Sequence, residues 1–469
     1  PNADTLMISR RRFLQTSTAL ACTSGLGACT PQNAAPANQK VSLDIQAAQF
    51  DLTGHGITTD MVSLSGDAPP PVLRIRQGAE FTAHITNRLK DYTSMHWHGL
   101  RLPNEMDGVP YLTQIPMGEN DAYTYRFTPQ DAGTYWYHPH CMTMDQMARG
   151  LTGILIVEEE EAPGFDDEIT LNLRDFRLGG DNQFKDIYTA RGAARAGTFG
   201  NVLTANWQRQ PVYDAAAGGL VRLRILASDT SRIYRLALPE GKGIIIAMDG
   251  HPVVEPVPWP TKEAPLILSP GQRVDIALKM PTDEGQEISL LTMSGNRERP
   301  LARLRAIGRD IKHAIADLRA LPANPLSIPR LENAEVHEFV FGWSPSGDLP
   351  NNGFCGTMGY TFWSINRTPW PGDASGTGPL AVLKHGKSHI LRLRNESPNE
   401  HPIHLHGLTF LPIRSNKRAV ANNWTDTALL LREETLDIAL VADNLGDWAF
   451  HCHVIEHQKT GLAGYIRVA

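Results

Sequence analysis

The chain reads as an all-β protein built from three consecutive Greek-key β-sandwich domains, and three observations carry that reading. First, short runs of alternating polar and apolar residues recur along it, broken by Gly, Pro, Asn and Asp; residues 72–76, 123–127, 220–225 and 390–394 are examples. Second, the chain repeats itself. Gly133-Thr134-Tyr135-Trp136-Tyr137-His138-Pro139-His140 aligns without a gap on Gly446-Asp447-Trp448-Ala449-Phe450-His451-Cys452-His453, and His96-Trp97-His98-Gly99-Leu100 on His404-Leu405-His406-Gly407-Leu408. Third, helical periodicity is scarce. The best stretch is 307–321, with Ile311, Ile315 and Leu318 on one face, and it predicts a helix joining two sandwiches.

In chain order, residues 1–40 read as an export segment and tether. Ser9-Arg10-Arg11-Arg12-Phe13-Leu14-Gln15 resembles a twin-arginine signal, and a weakly apolar run follows it. Such signals carry folded proteins, and a periplasmic or otherwise exported location is expected. Leu26-Gly27-Ala28-Cys29 resembles a lipoprotein cleavage box, which makes Cys29 a candidate lipid anchor. Residues 41–160 form the first copy of the repeat and 326–469 the last. Between them, 161–325 uses the same strand vocabulary without any His-x-His pair. No stretch is long and apolar enough to span a membrane. The net charge of −6 gives no electrostatic footprint for nucleic acid. A monomer is expected.

The histidines carry the chemistry. Chance placement of 17 histidines in 469 residues would give roughly 0.6 His-x-His pairs. The chain has pairs at 96/98, 138/140, 404/406 and 451/453, in repeat-related places. Successive strand side chains point to opposite faces, so His451 and His453 face one way and Cys452 the other. Two further histidines, His401 and His457, occur only in the last copy. The first copy has Thr93 in place of His401 and Pro139 in place of Cys452. One thiolate with two imidazoles and a weak or absent axial ligand is the blue-copper arrangement, and Cys452, His401 and His457 fit it. Leu462 falls at the axial position and cannot coordinate, which favours Cu(I) and raises the reduction potential. Zinc is the rival for Cys/His clusters, but it has no use for a linked second site of eight histidines.

These four histidine segments, with the run His401-Pro402-Ile403-His404 and the spacing Cys452…His457…Leu462, resemble the copper-binding segments of the multicopper oxidases. The likeness is to three-domain bacterial laccases and copper-efflux oxidases. The resemblance implies three cupredoxin-like domains and four copper ions. His401, Cys452 and His457 match the type 1 ligands, with Leu462 axial. His96 and His404 match the type 2 ligands; His98, His138, His140, His406, His451 and His453 match the type 3 pair. It implies one-electron oxidation of a donor near His457, among the more exposed ligands of the family. Electrons then pass from Cys452 to His451 and His453, and O2 is reduced to two waters. By motif position Asp107 assists proton delivery, against the alternative that it is a turn residue. Related bacterial enzymes carry an acid directly after the last type 1 histidine, where this chain has Gln458.

Cys141 and Cys355 are expected either to form a disulfide between the first and third domains or to remain separate thiols. The only methionine cluster is Met142, Met144 and Met147, on the loop after His140 and away from the third domain. It reads as loop packing or as a copper-loading path. Three functions stay open. A laccase-like oxidase of phenols and aromatic amines is favoured by the lack of a methionine-rich insert. A metal-ion oxidase for Cu(I), Fe(II) or Mn(II) is the alternative. A non-catalytic cupredoxin-repeat scaffold is the third.

Overall fold

The computed structural model describes residues 38–64, 66–345, 355, 358–370 and 377–469. The twin-arginine-like run and Cys29 lie outside the described residues. Strand accounts for 45% of the chain and helix for 5%, in agreement with the all-β reading. Among the described residues no helix is long and apolar enough to cross a membrane.

Among the described residues six sheets form in three sequence-consecutive pairs. In the first pair, Gln39–Phe50 runs parallel to Phe81–Asn87 in one sheet. In the other sheet the order is Leu73–Arg76, Gly153–Glu158, Gly133–Pro139, Met95–His98. The last pair repeats this order as Ala381–Leu383, Ala463–Val468, Gly446–Cys452, His401–Leu405, and adds Thr427–Leu430 at the edge. Both copies set the short first strand parallel to the final one. The middle pair does the same with Val212–Ala216 and Arg297–Ile307. Alternation drives this packing: Ser388–Asn395 buries every second residue, with Leu391 and Leu393 fully covered. Buried residues of the first and last pairs merge into one apolar cluster, while the middle pair has its own.

The helix expected over 307–321 does not form. Residue 307 ends the long Arg297–Ile307 strand, and only Ile315–Asp317 makes a 3-10 turn. The segment is instead strapped to the middle sandwich, because Ile311 N–H donates to Ala217 O and His313 N–H to Gly218 O. Those main-chain bonds compete with the helical ones. The methionine cluster is also corrected in place. Residues Thr143–Ala148 form a helix whose Met144 and Met147 are buried with Ile455, so the cluster touches the last copy of the repeat. Cys141 and Cys355 form a disulfide across a sequence separation of 214 residues.

Candidate metal centre

Strand register brings the histidine pairs together. His96 lies opposite His138, and His404 opposite His451, each in an antiparallel pair. The two copies then face each other. The His96 ring stacks on His406 at 3.8 Å between centroids, and His98 on His404 at 3.6 Å. His138 and His453 rings meet edge to face at 5.3 Å, and His140 and His451 at 5.4 Å. All eight rings are buried.

Hydrogen bonds fix which nitrogen each ring presents. His96 and His404 donate Nδ1–H to the main-chain carbonyls of Asp107 and Asp426, both at 2.8 Å. His138 and His451 donate Nδ1–H to the carbonyls of Pro139 and Cys452, at 3.0 and 2.9 Å. His98 donates Nε2–H to Asp426 Oδ1 at 2.9 Å, and His406 donates Nδ1–H to Asp107 Oδ2 at 2.8 Å. The opposite nitrogens therefore carry lone pairs. Those of His406 and His451 face each other at 3.0 Å. Nε2 of His96, His138 and His404 and Nδ1 of His98 have no hydrogen-bond partner among the described residues. Burial, reinforced by neighbouring rings, pushes the affinity of His98, His138, His140, His406 and His453 for protons well down, and that of His451 to about 3. Buried, unpartnered lone pairs turned toward one another fit metal cations.

The second group lies behind the same strand. Cys452 Sγ is 3.6 Å from Nδ1 of both His401 and His457, whose Nδ1 atoms are 3.0 Å apart. His401 donates Nε2–H to Ser397 Oγ at 2.8 Å, because Ser397 gives its own hydrogen to Asn395 Oδ1. His457 donates Nε2–H to the main-chain carbonyl of Arg195. Both rings thus turn an Nδ1 lone pair toward the sulfur. Burial pushes the Cys452 thiol up, so a bound metal has to displace its proton. Leu462 is fully buried in the same apolar cluster, and its carbonyl accepts the Cys452 N–H at 3.0 Å. A thiolate, two imidazoles and no fourth donor suit copper.

Asp107 closes the 3-10 turn Asn104–Met106 and is buried, with Oδ1 3.2 Å from His96 Nδ1. Gly108 lets its loop press on the Met95–His98 strand, since at φ +78° a Cβ there would sit 1.8 Å from Met95 O. The Gln458 amide nitrogen is 3.5 Å from His140 Nε2. The expectation of an exposed His457 is overturned. Its ring is fully buried, covered by the segment that carries Arg195 and by Trp363, whose ring is 4.7 Å away.

Sequence reasoning missed Asp426, Arg273, Ser397, Arg195 and Trp363. Burial opposes ionisation of Asp426, but the Arg273 guanidinium beside it holds its carboxyl well below the usual range. Nothing in the local run Thr425-Asp426-Thr427 signals that role.

Known proteins resemble this chain over most of its length. Family profiles described as multicopper oxidase match residues 45–162 and 350–469. The multicopper oxidase MmcO of Mycobacterium tuberculosis is 30% identical, over 90% of this chain and 85% of that protein. The crystal structure of a multicopper oxidase from Pseudomonas thermotolerans superposes with a TM-score of 0.83 at 36% identity, covering 92% of this chain and 99% of that one. More distant relatives at 24–25% identity are named copper resistance protein A, laccase-2 and iron transport multicopper oxidase. The chain belongs to the multicopper oxidase family. It is an oxidoreductase with copper as its cofactor.

Proposed function

We propose that this chain is a laccase-like oxidase, coupling four one-electron oxidations of phenolic or aromatic amine donors to reduction of O2 to two waters. One observation carries the reading. Cys452 turns its thiol to His401 and His457 while its neighbours His451 and His453 enter the eight-histidine cluster. A single peptide joins the sulfur-bearing residue to each of them.

In this reading residues 41–160, 161–325 and 326–469 are three cupredoxin-like domains, and the chain takes four copper ions. His401, Cys452 and His457 hold the type 1 copper. His96 and His404 hold the type 2 copper, and the lone pairs set by their matching Nδ1–H bonds support treating them as equivalents. His98, His138, His140, His406, His451 and His453 hold the type 3 pair. When bound, copper supplies the one-electron redox couple behind Cys452 and the oxygen-reducing chemistry at the histidine cluster. Asp107, against His406 and His96, holds and passes protons there. The four electrons and four protons that O2 needs match the electron and hydroxyl proton lost by each of four phenols. The run at residues 9–15 supports twin-arginine export to the periplasm, with lipidation at Cys29.

A metal-ion oxidase would use the same centre. Organic donors are favoured because the cover over His457 carries arginines, and no methionine or carboxylate lines the hollow that this cover walls among the described residues. The test is O2 uptake with a phenol and with Cu(I) under matched conditions. A higher kcat/KM for the phenol is expected; a higher value for Cu(I) would move the chain to metal-ion oxidation.

A further inference from the structure

The cover over His457 is residues 189–199, and it is clamped from below. Glu456, fully buried and adjacent to His457, accepts the Thr198 hydroxyl at 2.7 Å and also the Thr198 N–H. Trp363, packed on His457, donates its indole N–H to Ala193 O at 2.7 Å. Thr189 caps the short helix Ala190–Ala193 by accepting Gly192 N–H. The segment is thereby fixed against the donor-side histidine, and its Arg195 carbonyl is the atom that His457 touches.

The same segment walls a hollow of about 340 Å³, large enough for a single aromatic ring with a short side arm. Arg177, Arg191 and Arg195 line it, with Phe199 at its edge. Arg191 and Arg195 are exposed and form no ion pair with a carboxylate among the described residues. Arg177 donates to Phe199 O at 3.2 Å, and its Nε is buried without a hydrogen-bond partner among the described residues. The Phe199 ring is 42% exposed, with the Arg232 guanidinium stacked on it at 5.0 Å. Glu456 lies beneath the segment and is already committed to Thr198, and Asp175, beside Gly200, is paired with Arg232. Two exposed guanidinium groups without a carboxylate partner among the described residues, in one hollow with an exposed aromatic side chain, match a planar ring that bears a carboxylate or another oxyanion.

We infer that this hollow binds anionic aromatic donors directly above the electron-entry residue, with Arg191 and Arg195 setting the preference for negative charge. The inference rests on the organic-donor reading and narrows it to a class. The bound donor gives its electron towards His457 across the Arg195 main chain, so side-chain changes at 191 and 195 leave that contact intact.

The test uses the copper-loaded protein and its R191Q/R195Q variant. Both side chains are exposed, so little effect on folding is expected. Calorimetry with 4-methoxycinnamate and its neutral methyl ester, neither of which carries an oxidisable hydroxyl, reads the hollow alone. The wild type is expected to bind the acid at least about tenfold more tightly than the ester, and the variant to bind them alike. The ratio of kcat/KM for ferulate over methyl ferulate should fall in parallel. Equal binding of acid and ester by the wild type, or a preference that survives in the variant, would overturn the inference. Oxidation of Cu(I) with neither ferulate compound consumed would sink the organic-donor reading instead, and the calorimetry would still score the hollow.

Discussion

Thr93 donates its hydroxyl hydrogen to Gln146 Oε1 across 2.7 Å, and this bond stands in the first copy of the repeat where His401 and His457 meet in the last. The equivalence extends to the main chain. Leu151 N–H donates to Gln146 O as Leu462 N–H donates to His457 O, at 3.0 and 2.9 Å. With Pro139 in the place of Cys452, all three donor positions behind the strand are filled by residues that cannot form a thiolate–imidazole set. The copies should therefore respond differently to matched changes. Gln146→Ala should cost about 1–3 kcal/mol of stability by stranding Thr93, read by denaturant unfolding, with visible absorption unchanged. His457→Gln should remove the visible band.

Acid should destabilise the copper-free fold. Burial lowers His457 from its ordinary value of 6.5 to about 4, and His451 to about 3. Between the folded and unfolded values the unfolded chain binds the proton and the folded chain does not. Stability is therefore full above about pH 6.5 and falls as pH drops towards the folded value, by on the order of 3 kcal/mol for His457 alone. Thermal melts of copper-free protein from pH 7 to pH 4 should show a steadily falling Tm. A flat profile would mean that these rings are not held neutral.

Asp107 offers a separable test of proton handling. Its Oδ2 accepts from His406 and its Oδ1 lies near His96, so Asp107→Asn preserves shape while removing the carboxylate. A loss in kcat of about 100-fold or more is expected, with the visible band and copper content retained. Loss of copper with the activity would reassign Asp107 to positioning the rings.

The Cys141–Cys355 disulfide ties the segment after His140 to the loop before Trp363, and Met142 N–H also donates to Cys355 O at 2.9 Å. Replacing both cysteines with serine should cost about 2–5 kcal/mol, measured by thermal unfolding. Reduction of the denatured, copper-free wild type should release two additional titratable thiols.

Much of this centre was legible because His-x-His on a strand is a period-two signal and the repeat doubled it. Ser397, Arg195 and Asp426 were not legible, since each reaches its histidine only through turns or packing that no local pattern encodes. Asp426 meets His98 across 328 residues and Arg195 meets His457 across 262. The helix expected over 307–321 failed for the converse reason. Ile311, Ile315 and Leu318 have helical spacing, but main-chain bonds to Ala217 and Gly218 tie the start of the segment to the middle sandwich. His457 looked exposed because the family likeness says nothing about residues 189–199, which cover it here.

The central claim is that Cys452 joins the donor side to the oxygen side. The most direct test is the absorption of the copper-loaded protein and of Cys452→Ser, followed with a phenol donor under argon and then under O2. The wild type should show a strong visible band from the thiolate–copper centre that bleaches with donor and returns with O2, and the variant should lack both the band and donor-driven O2 uptake. Donor-driven O2 uptake by Cys452→Ser at the wild-type rate would contradict the account.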